Sequence, residues 1–156
     1  MLAARRAGWR LRAYLVALVA AWSIAAATST VSGGRLELSP IAQGLQYLLV
    51  VLAAILAGNR LIRMSRGQDP EDAMFGFYER RWAVRQDLGG RVWWTCIWAG
   101  IAAMVGNVAI LAVAEILFAG SGGAHLGEYL GWIGLGVAAG AVIGSFSALL
   151  AVAVSR

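Results

Sequence analysis

The sequence predicts an all-α polytopic membrane protein: four transmembrane helices arranged as two hairpins, with an amphipathic cytoplasmic helix between them. Three observations carry that expectation. Of the 156 residues, 60% are hydrophobic and 13% charged, whereas soluble domains run about 45–50% apolar and about 25% charged. Four stretches are apolar over about the 20 residues that a helix needs to cross a bilayer. The thirteen basic residues are all arginine, and they gather at the ends of these stretches rather than along one polar face.

The first span is expected over 14–30, after Arg5, Arg6, Arg10 and Arg12. A basic start, an apolar run and Ala25-Ala26-Ala27 also follow the order of a cleavable signal peptide. We read the segment as a retained span; cleavage would leave three spans in the same orientation. The second span, 41–61, ends on Asn59 and Arg60, which cap it at the interface. The third, 92–118, opens with Trp93, Trp94 and Trp98, and the fourth, 130–154, starts beside Tyr129 and Trp132. Aromatic residues at these depths occupy the interfacial belt. A Trp–Arg cluster precedes each hairpin, but the halves do not otherwise align.

Orientation follows from the arginines. With four spans, the N-terminal segment, the loop 62–91 and Arg156 share one side, which leaves Arg35 alone on the other. Cytoplasmic loops carry the excess of basic residues. Both termini and the central loop are therefore expected in the cytoplasm, in a cell inner membrane.

Within that loop, 70–88 has the signs of an interfacial helix. Asp69 can cap it, Pro70 suits the first helical position, Glu71 and Asp72 meet the positive end of the dipole, and Gly89-Gly90 mark its end. Met74, Phe77, Tyr78 and Trp82 share one side, although Phe75 and Val84 fall off it. Arg80, Arg81 and Arg85 supply charge for anionic headgroups. Membrane lipid is the expected contact, and the same surface could dock a cytoplasmic partner.

Inside the spans, three features stand out. Gly136, Gly140, Gly144 and Ala148 place a small residue at every fourth position. A glycine inside a water-exposed helix costs about 1 kcal/mol relative to alanine. In lipid such a stripe instead lets two backbones approach closely. Its occupant is either another helix of this chain, a second copy, or another membrane protein. The first span has a milder stripe in Ala17, Ala21 and Ala25. Asn107 lies near mid-bilayer, where an unpaired amide is costly. Its candidate partners are Gln43 and Gln46 on the second span or Ser145 and Ser147 on the fourth, with depth favouring the serines. Glu115 lies about one turn from the outer end of the third span. Solvation or pairing with Arg35 would account for it; an acidic residue within a span also marks a proton- or cation-handling group.

Chemistry-bearing clusters are scarce. One Cys96 and one His125 exclude an intrachain disulfide, a haem held by two histidines and a histidine-based zinc site. Without lysine there is no phosphate loop of the usual form, and Gly120–Gly123 reads as a turn. No serine, histidine and acid are spaced for nucleophilic catalysis, although Ser121, His125 and Glu128 lie near one another. The basic balance does not indicate nucleic acid, because the arginines flank apolar spans. No cofactor or metal is expected. The leading expectation is a non-catalytic integral subunit that packs against itself or a larger complex through the fourth span. The alternative is a homo-oligomeric channel or a small-solute or ion transporter with Asn107 and Glu115 in its path.

Overall fold

The computed structural model describes residues 2–33, 35–65, 88–119 and 126–154. They form helix α1 (Leu2–Thr28), strands β1 (Thr30–Ser32) and β2 (Arg35–Glu37), and helices α2 (Pro40–Ser65), α3 (Leu88–Phe118) and α4 (Leu126–Val154). The interfacial helix expected over 70–88, with Phe77, Tyr78, Arg81, Trp82 and Arg85, falls outside the described residues apart from Leu88.

Three helices are long and apolar enough to cross a membrane, over Pro40–Arg63, Leu88–Phe118 and Gly127–Ala153; α1 contributes a shorter apolar stretch, Arg12–Thr28. Large apolar side chains such as Phe118, Leu130, Phe146 and Leu149 point outward and are exposed. Lipid tails would cover such a surface, which water would not tolerate.

Each expected hairpin pair is in contact, α1 with α2 and α3 with α4, and α2 joins the two pairs. Helices α2, α3 and α4 all pack against one another, while α1 rests on α2 and makes no comparable contact with α3 or α4. The core of the triplet is built from small and branched residues: Ala54 and Ile62 of α2, Val92 and Cys96 of α3, Ala148 and Ala151 of α4. Gly58 admits this density, because a Cβ there would lie 2.5 Å from Cys96 Sγ and 3.0 Å from Ala151 Cβ.

Two boundaries differ from expectation. Gly89 and Gly90 do not end a helix but lie in the first turn of α3, where the helix of the third span already begins at Leu88. Residues 30–37 are not a plain turn either. Thr30 pairs with Glu37, Val31 with Leu36 and Ser32 with Arg35, antiparallel, so the chain is not wholly helical. A two-residue connection of this kind requires positive φ, which glycine supplies without a Cβ clash, and Gly33 has φ 58°.

Local chemistry ties the hairpin to its helices. Ser39 caps α2: its Oγ accepts from the Ala42 amide at 3.2 Å, and Pro40 takes the first helical position, where no N–H is needed. The Thr28 and Ser39 hydroxyls hydrogen-bond across the neck of the hairpin at 2.8 Å. The end of the bundle that carries β1 and β2 is called the hairpin end below, and the opposite one, near Arg60, Arg63 and Arg91, the arginine end.

Candidate functional site

The hairpin end holds a cavity of about 700 Å³, walled by α2, α3, α4 and β2, with Trp22 of α1 at its side. Small-molecule sites commonly measure about 300–1,000 Å³. Toward the arginine end the space stops near Met104. One turn further on, at Gly100, α3 and α4 meet backbone to backbone. A Cβ on Gly140 would lie 2.7 Å from the Gly100 carbonyl oxygen and from Ile101 Cα; one on Gly144 would lie 2.6 Å from Ile97 Cα and closer still to the Cys96 carbonyl oxygen. The small-residue stripe is therefore engaged within the chain, by α3. Gly136, at its upper end, faces Met104 and Val108 at ordinary contact distance.

Glu115 lies on the cavity wall and is 4% exposed. It is neither solvated nor paired with Arg35. Its Oε2 accepts a 2.6 Å hydrogen bond from the Tyr129 hydroxyl and a 3.3 Å bond from the Leu36 amide. One carboxylate oxygen thus joins α3 to α4 and to β2. This junction is one side-chain tie of β2 to the bundle among the described residues, another being the Arg35–Glu128 pair. Among the described residues, nothing donates to Oε1. Arg35 pairs instead with Glu128 at 2.7 Å, both side chains being about half exposed at 50% and 52%. In β2 it is the backbone amide of Leu36 that reaches Glu115, while the Arg35 side chain extends to α4.

Asn107 is buried, and its Nδ2 donates to the backbone carbonyl of Gln46 at 3.4 Å. The partner is on the second span, so depth does not favour the serines. Ser145 bonds to Ala141 in its own helix, and serine hydroxyls satisfied in this way need no second helix. Gln46 is only 7% exposed, and both ends of its side-chain amide lack a partner among the described residues. Trp22 Nε1 is in the same condition. Both residues line the cavity. In a water-free setting each unpaired polar group costs several kcal/mol, on the order of 1–3 by mutational measures.

The wall carries the carboxylates of Glu37, Glu115 and Glu128 against one guanidinium, Arg35, with Trp22, Tyr47, Tyr129 and Trp132 as aromatic surface. No group of three or more His, Cys, Asp or Glu side chains among the described residues is placed to hold a metal ion. Cys96, far from the cavity, is fully buried and donates to the Ala54 carbonyl at 3.3 Å. What this arrangement offers is binding by charge and hydrogen bonds.

Of the residues singled out in the sequence, Asn107 and Glu115 come together on one cavity. Gly140 and Gly144 form the contact beneath it, with Ala148 further along in the core. Tyr129, read as a belt residue, proves to be the partner of Glu115. A signal for the hairpin was present in Thr30–Glu37, where two short β-prone runs flank Gly33-Gly34. No family model matches the chain, and neither a curated protein nor a solved structure is significantly similar to it.

Proposed function

We propose that the protein is a four-span carrier of a small solute in a cell inner membrane, with both termini and the central loop in the cytoplasm, and that it admits its solute from the outer side. The orientation rests on the arginines: twelve on the cytoplasmic side, Arg35 alone outside. On that orientation the hairpin end faces outward. The observation that carries the reading is the meeting of Asn107 and Glu115 on one cavity at the hairpin end, whose lining on α3 begins at Met104, one turn from the Gly100–Gly140–Gly144 contact. Polar groups within a span are expensive and mark solute or ion pathways. The close α3–α4 contact at Gly100, Gly140 and Gly144 leaves no room for a pore between these two helices at that level, which supports a carrier over a continuous channel.

A subunit role in a larger complex would need a different surface from the one that motivated it, because the small-residue stripe already packs on α3. Such a role would draw on the outward apolar face of α4, around Val142, Phe146 and Leu149.

The test is uptake into proteoliposomes holding the purified chain, with radiolabelled amines, amino acids and polyols as trial solutes. Saturable uptake of one class, lowered at least about 10-fold by Glu115→Gln, is the expected result. No saturable uptake of any of them refutes the carrier reading.

A further inference from the structure

We propose that the cavity at the hairpin end selects an organic ammonium ion: a positively charged, N–H-bearing group on an apolar or aromatic body. The inference deepens the carrier reading and rests on the same cavity. Three independent features of the wall converge on it.

The first is charge. Three carboxylates face one guanidinium, and that guanidinium is drawn toward Glu128. An anionic solute would meet like charge on most sides. Glu115 is the deepest of the acids, and with Oε2 held by Tyr129 and Leu36 its Oε1 is the oxygen left to accept from a solute. An inorganic divalent ion is a poor match, since the described residues offer no group of three metal ligands.

The second is Gln46. It is more than nine-tenths buried, it lines this cavity, and neither end of its amide has a described partner. Asn107 spends its own amide on the Gln46 backbone, so it does not serve the Gln46 side chain. Both polar atoms of that amide are closed off from the cavity space, so its carbonyl meets a solute N–H once the side chain turns into the cavity. A buried amide kept unpaired in the unloaded protein is the kind of group whose cost a correct ligand offsets and an incorrect one does not.

The third is the aromatic and apolar lining. Trp22, Tyr47, Tyr129 and Trp132 border the space, together with Met104, Val108 and Leu111. Aromatic faces attract an ammonium group beyond what the carboxylates supply. The volume of about 700 Å³ leaves room for a body well beyond the charged head.

The experiment is a competition series on the full-length wild-type protein in mild detergent, read by equilibrium dialysis. Benzylammonium, benzyl alcohol and phenylmethanesulfonate share the benzyl body and differ in charge. Benzylammonium is expected to bind at least about 10-fold more tightly than the other two, as a charge-selective, aromatic-lined site requires. Glu115→Gln should abolish that preference. Gln46→Leu should weaken benzylammonium about 5-fold and leave benzyltrimethylammonium, which has no N–H, unchanged. Equal binding of the three probes to the wild-type protein overturns the proposal, and needs no variant to fold. So does a Gln46→Leu protein that binds benzylammonium undiminished. Cation-selective binding without saturable uptake would overturn the carrier reading alone; saturable uptake of a polyol with no cation preference would overturn this one alone.

Discussion

The glycines of α4 look equivalent in sequence, and the structure ranks them. A methyl group added at Gly144 would lie 2.6 Å from Ile97 Cα, where ordinary contact begins at 3.4 Å, so the two helices must part by about 0.8 Å. The obstacle is backbone, and no rotamer change relieves it. Overpacking of this kind costs about 1–3 kcal/mol. A gap of 0.5–1 Å along the rest of the seam also forfeits about a quarter to a half of its dispersion attraction. The removal of a helical glycine returns about 1 kcal/mol at most. Gly144→Ala and Gly140→Ala are therefore each expected to destabilise the bundle by about 2 kcal/mol. Gly136→Ala meets Met104 Cγ at 3.5 Å and Val108 Cγ2 at 3.7 Å, which is ordinary contact. It should be neutral, or stabilising by up to about 1 kcal/mol. Unfolding by SDS in mixed micelles, followed by far-UV circular dichroism, would measure all three. Equal effects at the three positions, or a loss at Gly136 as large as at Gly144, would refute the α3–α4 contact as the reason for the stripe.

Three further outcomes follow from the same contacts. Tyr129→Phe removes the 2.6 Å hydrogen bond to Glu115, and the same unfolding assay should register a loss of about 1.5–3 kcal/mol, the usual worth of a hydrogen bond to a charged group. Gln46→Leu should do the opposite, raising stability by about 1 kcal/mol because it deletes a buried amide with no described partner; stability and solute affinity then move in opposite directions. Cys96 is 0% exposed, so a membrane-permeant maleimide should leave it unlabelled in the folded protein and modify it once SDS unfolds the bundle.

The sequence by itself determined the helical character, the apolar spans and the residues that do not belong in lipid. These are local properties: composition over about 20 residues, a small residue at every fourth position, an amide or carboxylate inside an apolar run. They identified Asn107, Glu115 and the stripe from Gly136 to Ala148 without any knowledge of neighbours. Helix start chemistry is equally local, and Ser39-Pro40 opens α2 as such a pair should.

Which side chains meet was decided by tertiary structure. The partner of Gly140 and Gly144 on α3 is Gly100 with the Cys96–Ile97 backbone; the seven-residue spacing of Trp93, Gly100, Asn107 and Ala114 puts Gly100 on one face of the third span without saying which helix that face meets. Arg35 lies 93 residues from Glu128 in sequence, and Leu36 lies 79 from Glu115. Each pairing depends on how a three-residue strand is rotated on the end of α3. Helix propensity and hydropathy carry no information on such rotations. They arise from side-chain packing between segments, and so the cavity became visible only when α2, α3, α4 and the hairpin were placed together.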